Sequence, residues 1–325
     1  MTTKEKVLVL FEENRGTYYS GERIAEELSV SRTSVWKAVK ALQSEGYAIH
    51  AVTNRGYCLS EEADILSVRG VTKYLDASCG FLRLQVAASV PSTNTSVREL
   101  AVSGEPEGLV LIAEEQTGGR GRAGRSFYSP KDTGIYLSIL LRPEQASPQE
   151  GVKLTTKAAV AMCRALEQVS DKKAEIKWVN DLFVEGKKVC GILTEGAFHM
   201  EDGMMEYAVL GLGVNLYPPE GGFPEELKDI AGSLFSEGVN FDIKNRLCAA
   251  FLNEFMKLYL HDKADTYVEE YRKRCFVIGK TVTVLSGQKQ EEALVTGIDD
   301  ACHLLVRWKD GREEALSSGE IRIRP

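Results

Sequence analysis

The chain has 325 residues, with 47 acidic and 40 basic side chains, a formal net charge of −7 and a hydrophobic fraction of 43%. This composition excludes a disordered or fibrous protein, and the negative charge excludes a protein that coats nucleic acid over its whole surface. The length predicts two or three domains. The sequence has no apolar run of about 18 residues and no signal-peptide features at its start, so we expect neither a transmembrane helix nor a leader.

The cysteines favour a reducing compartment. Seven are scattered along the chain, without a C-x-x-C pair and without histidines at the spacing of metal ligands. We therefore expect free thiols, a cytoplasmic location and no structural metal.

The first 60 residues predict a winged helix-turn-helix domain. "KEKVLVLFEENR" and "SGERIAEELSV" are typical of helices, with Ser20 as the N-cap of the second. After the turn "SVS", a third helix, "RTSVWKAVKALQS", places Val35, Val39 and Leu42 on one face, and Gly46 follows its end. "YAIHAV" and "YCLS" then form two β-like runs around the turn "TNRG".

The side chains on the opposite, polar side of the third helix predict a DNA-binding surface. Hydroxyls and cations near the start of a third helix suit phosphate and base-edge contacts in a major groove. Trp36 is expected to be a packing residue instead. A winged helix that serves only as a scaffold or a protein-contact module is the alternative. The candidate DNA contacts are Arg32, Thr33, Ser34, Lys37, Lys40 and, at the hairpin tip, Arg55.

The rest of the chain predicts a multidomain α+β protein. After an acidic linker, strands and helices alternate with hairpins rather than in regular βαβ units. "AEIKWVNDLFVEGKKVCGILTEGAF" predicts one strand, a turn at Glu185-Gly186 and a second strand. The final residues predict a small β-barrel of short strands. The predicted domains are a winged helix over 1–63, a central α+β domain with a mixed sheet over 64–272 and the barrel over 273–325.

The stretch "GRGRAGRSFYSP" contains G-x-G-x-x-G, starting at Gly119, but its context excludes a dinucleotide-binding fold. That motif requires a helix to begin inside the loop, whereas Pro130 and a strand follow here. Glycines let backbone amides approach an anion closely, and the interleaved arginines supply cationic forks for phosphate or carboxylate. We therefore predict an anion-binding loop that closes over its ligand. A solvated basic surface loop is the alternative.

Other polar residues stand near strand ends on either side of this loop. Small polar groups before a helix can hydrogen-bond a neutral ligand or simply cap the helix; these are Ser92, Thr93 and Asn94, and Gln116 ends the strand before the loop. Lys177 and Lys188 lie in or beside apolar strands and are expected to point at an anion. Asp181 is a candidate for organising a Mg²⁺-nucleotide.

Four segments together resemble the biotin protein ligases (biotin–[acetyl-CoA-carboxylase] ligases): "STN", "EEQTGGRGRAGRSFYSP", "KWVNDLFVEGKKVCGILTE" and "GLGVNLYPPEGGFPEELKDIAGSL". The winged helix makes the chain similar to the bifunctional type, which also represses the biotin operon. The resemblance covers essentially the whole chain and implies an SH3-like C-terminal barrel. It also implies that biotin and ATP form biotinyl-5′-AMP, from which biotin passes to a lysine of the biotin carboxyl carrier protein.

The resemblance implies roles for individual residues. Lys188 and Arg122 are expected to be catalytic, with Lys188 holding the biotin carboxylate and the phosphate. The implied biotin and adenylate contacts are Ser92, Thr93, Asn94, Gln116, Gly119, Arg120, Gly121, Arg122, Arg125, Lys188 and Gly191. The implied nucleotide contacts are Phe127, Lys177, Asn180, Asp181 and Asn215.

Two residues depart from the family pattern. Val179 stands where many members have proline, and Phe127 stands where tryptophan is frequent, so that a smaller ring is expected on the adenine. The implied partners are the carrier protein, operator DNA and a second copy of the chain when the adenylate is bound, with no membrane. A lipoate ligase, a ligase whose DNA-binding domain has lost its function, and a non-catalytic ligand-sensing repressor are the alternatives.

Overall fold

The computed structural model describes residues 1–44, 47–60, 64–143, 147, 150–199, 201–237, 242–262, 264–286 and 289–323. The chain divides into two compact units, Met1–Tyr74 with Gly238–Ala249, and Leu75–Glu237 with Ala250–Pro325. No helix within the described ranges is both long and apolar enough to cross a membrane. The domain boundaries after residues 63 and 272 stay predictions.

The N-terminal unit has the predicted order of three helices and a hairpin. Glu5 and Thr2 form a capping box at the start of its first helix, and the Ser20 hydroxyl accepts a hydrogen bond from the Arg23 amide, as predicted for an N-cap. Gly46 lies outside the described residues. The elements are α1 (Thr3–Glu13), α2 (Gly21–Glu27), α3 (Arg32–Ser44), β1 (Ile49–Val52), β2 (Gly56–Leu59) and α4 (Val68–Thr72).

One apolar core holds this unit together. Val35, Val39 and Leu42 of α3 are buried in it beside Phe11 of α1, which confirms the predicted inward face. The expectation for Trp36 is wrong, because its side chain is 51% exposed. It follows Val35 by one residue, a step of about 100° around the helix that carries it off the buried face.

A seven-stranded mixed sheet organises the larger unit, as predicted. Its strand order is β3-β4-β5-β9-β8-β7-β6, with β3 and β4 parallel and all other neighbours antiparallel. Every residue of β4 and β5 is buried, which explains why Ser138 alone interrupts their apolar sequences. The strands are β3 (Arg83–Ala87), β4 (Leu109–Ala113), β5 (Gly134–Leu141), β6 (Glu175–Lys177), β7 (Asp181–Val184), β8 (Lys187–Phe198) and β9 (Met205–Asn215).

The prediction of a single strand before Glu185-Gly186 is wrong. This segment forms two strands, β6 and β7, with residues 178–180 between them. Distant partners bind this connection. The Trp178 indole N–H donates to the Cys302 carbonyl at 2.9 Å, and the Tyr271 hydroxyl donates to the Val179 carbonyl at 3.0 Å. Asn180 is bound to Ile192 of β8, so the connection is held both by the C-terminal part of the chain and by the neighbouring strand.

The remaining described helices are α5 (Thr93–Val102), α6 (Glu150–Val169), α7 (Ile243–His261) and α8 (Tyr267–Arg274). The C-terminal residues form the predicted succession of short strands, as a five-stranded antiparallel sheet of order β13-β12-β11-β10-β14. These strands are β10 (Thr281–Ser286), β11 (Lys289–Ile298), β12 (Leu304–Trp308), β13 (Glu313–Leu316) and β14 (Glu320–Ile323). All seven cysteines are buried with free thiols.

Candidate functional site

A cavity of about 680 Å³ opens in the larger unit. Strands β8 and β9 form one wall, and the first turn of α5 forms the floor. The loop after β4, residues 117–126 and hereafter the Gly/Arg loop, lies across it, and residues 318–322 of the C-terminal sheet close another side. A pocket bounded by several elements, with both apolar and convergent polar groups, is typical of a small-molecule site.

Most of the residues that the sequence predicts to contact biotin, the adenylate or the nucleotide line this cavity. Gly119 and Asn215 do not line it. The Asn215 side-chain amide donates to the Gly232 carbonyl at 3.1 Å. A Cβ at Gly119 would lie 2.4 Å from the Phe127 carbonyl oxygen, so this glycine permits a close chain approach. The predicted residues that do line the cavity are Ser92, Thr93, Asn94, Gln116, Arg120, Gly121, Arg122, Arg125, Phe127, Lys177, Asn180, Asp181, Lys188 and Gly191.

The floor is a buried hydrogen-bonded chain. The Thr93 amide and hydroxyl both donate to Gln116 Oε1, at 2.9 and 3.2 Å, and Gln116 Nε2 donates to Ser129 Oγ at 3.0 Å. Ser92 occupies the N-cap position of α5, but its hydroxyl makes no capping hydrogen bond. Of the two interpretations of Ser92, a cap or a ligand contact, the geometry favours the second.

Asn94 extends this chain across the floor. Its Nδ2 donates to the Leu193 carbonyl at 3.2 Å and to Glu195 Oε2 at 2.9 Å, and Ser138 Oγ lies 2.6 Å from its Oδ1. Gly211 leaves room for it, since a Cβ there would lie 1.8 Å from Asn94 Oδ1. Sequence reasoning missed Ser138, Glu195 and Gly211. The available signals were a serine inside the otherwise apolar β5 and the one carboxylate of β8.

The Phe127 ring packs on the wall of the cavity. A Cβ at Gly213 would lie 2.5 Å from Phe127 Cε1, and one at Gly191 would lie 3.1 Å from Cε2. The ring centroid is 6.4 Å from that of Tyr136, in an edge-to-face arrangement. The absence of side chains at the two glycines therefore gives the ring its place.

Cationic side chains surround the cavity, and several of them have partners within the protein. Lys188 Nζ lies 2.6 Å from Asp181 Oδ1, Arg122 Nη1 donates to Asn180 Oδ1 at 3.1 Å, and Arg125 pairs with Glu320. Burial lowers the pKa of Lys177; the nearby Asp181 carboxylate opposes this shift, and the Lys188 cation adds to it. Six cations around one cavity favour an anionic ligand; they are Arg120, Arg122, Arg125, Lys177, Lys188 and Arg322.

The described residues hold no group of three or more His, Cys, Asp or Glu side chains that could cage a metal ion. At the cavity, the Asp181 carboxylate is paired with a cation. Glu320, the other carboxylate that lines the cavity, is paired as well, and such paired carboxylates fit a metal that arrives with phosphates better than a resident metal.

The N-terminal unit presents the predicted DNA-contact residues separately. Arg32, Thr33, Lys37 and Lys40 are exposed on α3, and the Arg55 guanidinium lies 4.7 Å from the centre of the Tyr18 ring. Ser34 is less available for a DNA contact, because its hydroxyl lies at hydrogen-bond distance, 2.9 Å, from Ser31 Oγ. Trp36 lines the groove between α3 and the hairpin together with Arg32 and Thr33.

Three family models match this chain. The biotin/lipoate A/B protein ligase family matches residues 86–215, which include most of the cavity. An HTH domain matches residues 3–58, and the biotin protein ligase C-terminal domain matches residues 277–324.

Two of the similar proteins are bifunctional ligase/repressors. The bifunctional ligase/repressor BirA of Bacillus spizizenii is 36% identical over 236 residues, which are 72% of this chain and 71% of that protein. The bifunctional ligase/repressor BirA of Escherichia coli is 29% identical over 314 residues, covering 95% and 94% of the two chains. Among solved structures, the biotin protein ligase of Aquifex aeolicus in complex with biotin and ATP is 26% identical with a TM-score of 0.62, covering 75% of this chain and 99% of that one.

Proposed function

The chain belongs to the biotin protein ligase family, and from this membership we propose that it is an ATP-dependent biotin protein ligase and a biotin-responsive transcriptional repressor. One observation carries the ligase proposal: the neutral hydrogen-bonding groups of Ser92, Thr93 and Gln116 face the same cavity as six cations. Biotin combines a neutral polar ring with a carboxylate, and ATP supplies the phosphates. The cavity therefore offers a suitable group for each part of the two substrates.

The first step needs two anions to react with each other. A carboxylate oxygen of biotin attacks the α-phosphorus of ATP, the bond to the bridging oxygen of the β-phosphate breaks, and pyrophosphate leaves. Lys188 and Arg122 offset the repulsion and the charge that develops on the phosphate oxygens, while the floor fixes the ring of biotin. The roles of Lys188 and Arg122 remain proposals, as do the floor contacts of Ser92, Thr93 and Gln116.

The second step transfers the biotinyl group. The neutral ε-amine of a lysine on the biotin carboxyl carrier protein attacks the acyl carbon, AMP leaves with the electron pair of the broken bond, and the nitrogen releases a proton. The substrate carboxylate and the acceptor amine supply both nucleophiles, so the chain has to position and neutralise rather than to form a covalent intermediate.

The nucleotide contacts are proposed from the same lining. Phe127 supplies an aromatic ring for the adenine, and Lys177 and Asn180 supply polar groups for the phosphates. Mg²⁺, when bound with ATP, neutralises phosphate charge, and Asp181 is the residue that would hold it.

The helix-turn-helix unit supports the repressor half of the proposal. Arg32, Lys37 and Lys40 give the exposed side of α3 a positive charge in a protein that is acidic overall. We propose that two copies pair when biotinyl-AMP is bound and place two such helices on a palindromic operator of the biotin genes. The seven free thiols are consistent with the predicted cytoplasmic location.

One assay tests the ligase. The protein is incubated with ATP, Mg²⁺ and either biotin or lipoate, and both pyrophosphate release and label transfer to a carrier domain are measured. Biotin-dependent release and transfer are expected. Pyrophosphate release and transfer with lipoate but not with biotin would identify a lipoate ligase. Binding of biotin without pyrophosphate release would identify a non-catalytic sensor.

A second assay tests the repressor. A footprint on promoter DNA of the organism's own biotin genes is expected in the presence of biotin and ATP and not in their absence. An active ligase that leaves this DNA unprotected under both conditions would contradict the repressor proposal only.

A further inference from the structure

Glu195 is a carboxylate beside the cavity floor, in contact with Asn94, and the proposed chemistry assigns it no role. It lies on β8, and its side chain is only 24% exposed. Its two oxygens face different elements of the site. Oε2 accepts the hydrogen bond from Asn94, and Oε1 lies 3.4 Å from Arg120 Nη1 in the Gly/Arg loop and 3.8 Å from Arg98 Nη1 on α5.

Asn94 has both amide hydrogens committed to the protein. The Leu193 carbonyl and the Glu195 carboxylate can only accept, so the nitrogen of the amide must face them and Oδ1 must face Ser138. Asn94 is also 4% exposed, and its Oδ1 occupies the space that a Cβ at residue 211 would need. It therefore serves to orient its neighbours rather than to donate to a ligand.

Asn94 connects Glu195 to the hydroxyls of the floor. The Ser138 hydroxyl has one proton and two acceptors within reach, Asn94 Oδ1 at 2.6 Å and Thr93 Oγ1 at 2.8 Å. Asn94 and Ser138 therefore link the Glu195 carboxylate to Thr93, whose amide donates to Gln116 in the floor. A charged Glu195 strengthens this arrangement, since hydrogen bonds to ionised groups are stronger than neutral ones.

The second carboxylate oxygen acts on the Gly/Arg loop. Arg120 is 43% exposed and pairs with Glu195 across the cavity edge. A partly exposed ion pair contributes little to global stability. It can nevertheless bias the position of a glycine-rich loop, whose conformations differ little in free energy.

We propose that Glu195 is a positioning residue that sets the floor through Asn94 and the Gly/Arg loop through Arg120, so that both are arranged for biotin before it binds. The proposal rests on the proposed ligase function for its ligand. Glu195 acts through other residues and does not touch the reacting atoms. Its loss is expected to weaken biotin binding much more than it slows the chemical step.

The kinetic test compares Glu195→Gln and Glu195→Ala with the wild type. Gln keeps an acceptor for Asn94 but loses the charge, so we expect the biotin Kd to rise about 10-fold, and about 100-fold for Ala, which loses both contacts. The kcat of pyrophosphate release at saturating biotin is expected to stay within about 3-fold. Glu105→Gln is the matched control, because Glu105 pairs with Arg83 at 3.0 Å outside the cavity.

A second readout needs no biotin. Trypsin cleaves after arginine, and the Gly/Arg loop offers Arg120, Arg122 and Arg125. Cleavage in this loop is expected to be faster in Glu195→Gln than in the wild type or Glu105→Gln. Equal cleavage rates in all three proteins would contradict the link between Glu195 and the loop.

A rescue experiment tests the pair directly. Asn94→Asp places a second carboxylate beside Glu195 and is expected to weaken biotin binding severely. Adding Glu195→Gln restores a donor–acceptor pair and is expected to recover part of the affinity. No recovery, or a Glu195→Gln variant with wild-type biotin affinity, would overturn the proposal. A wild type that neither binds nor uses biotin would instead contradict the proposed function.

Discussion

Lys188 Nζ lies 2.6 Å from Asp181 Oδ1, so the cation assigned to the substrate anions already has a carboxylate partner within the protein. The pair joins β7 and β8 at the cavity wall, with each side chain about a quarter exposed. A substrate carboxylate must compete with Asp181 for this lysine. A metal that arrives with ATP would remove the competition by binding Asp181.

The pairing predicts that Asp181→Asn has different effects on the binding of biotin and of ATP. Lys188 loses a competing partner, so biotin affinity is expected to be unchanged or tighter, whereas the KM for ATP is expected to rise about 10-fold through loss of the metal contact. Calorimetric titration of biotin and steady-state kinetics with varied ATP measure the two effects. An equal loss of affinity for both substrates would contradict the assigned roles.

Gly211 is predicted to be intolerant of any side chain. In Gly211→Ala the new Cβ would lie 1.8 Å from Asn94 Oδ1, and Asn94 cannot yield because its amide is bound on both sides. We expect a loss of about 2 kcal/mol in the free energy of unfolding and biotin binding weaker by more than about 10-fold.

Denaturant unfolding and biotin titration check this prediction. Gly196→Ala on β8 is the control, since its Cβ would find its nearest atom, in the Phe198 side chain, at 3.5 Å. Equal effects of the two substitutions would show that the crowding at Gly211 is not decisive.

Lys177 is predicted to cost stability near neutral pH. Burial lowers its pKa in the folded protein, so the unfolded chain binds more protons between the folded value and the ordinary lysine value of about 10.4. The penalty is complete below the folded pKa and disappears as the pH rises through the unfolded value. Lys177→Gln is therefore expected to raise the Tm near neutral pH, with a gain that shrinks toward about pH 10.

Thermal unfolding across this pH range tests the expectation, with exposed Lys173→Gln as the control. A Tm for Lys177→Gln below that of the wild type near neutral pH would contradict it. Biotin-dependent pyrophosphate release should fall in the same variant if Lys177 contacts the nucleotide.

Lys37 is predicted to contact a DNA phosphate. It is exposed on α3, and each phosphate contact that is lost lowers the salt dependence of binding by about one unit of slope. Lys37→Ala is expected to weaken operator binding about 5- to 10-fold at moderate salt and to reduce that slope by about 1. Binding titrations at several salt concentrations measure both quantities. Lys73→Ala, an exposed lysine after α4, should leave the slope unchanged, and an unchanged slope in Lys37→Ala would refute the contact.

Local patterns were sufficient for much of the fold. The buried face of α3 follows from Val35, Val39 and Leu42, and the fully buried strands β4 and β5 follow from apolar runs that only Ser138 interrupts. These features depend on neighbours in sequence, which a single chain displays directly. The same holds for the glycines and arginines of the Gly/Arg loop.

Tertiary partners explain what the local patterns missed. The break between β6 and β7 depends on a hydrogen bond from Trp178 to Cys302, 124 residues away. Glu195 joins the floor through Asn94, 101 residues away, and no local pattern connects the two. Trp36 is exposed because it lies about 100° around α3 from the buried Val35. A prediction from its residue type alone does not take this angle into account.

The central claim is that this cavity joins biotin to AMP with Lys188 beside the reacting groups. Biotin-dependent exchange of pyrophosphate into ATP measures that step alone, without the carrier protein. We expect Lys188→Gln to lose at least about 100-fold in exchange while unfolding at the wild-type temperature. Lys187→Gln, whose lysine donates to the Lys228 and Asp229 carbonyls, should retain wild-type exchange. Exchange by Lys188→Gln at the wild-type rate would contradict the account.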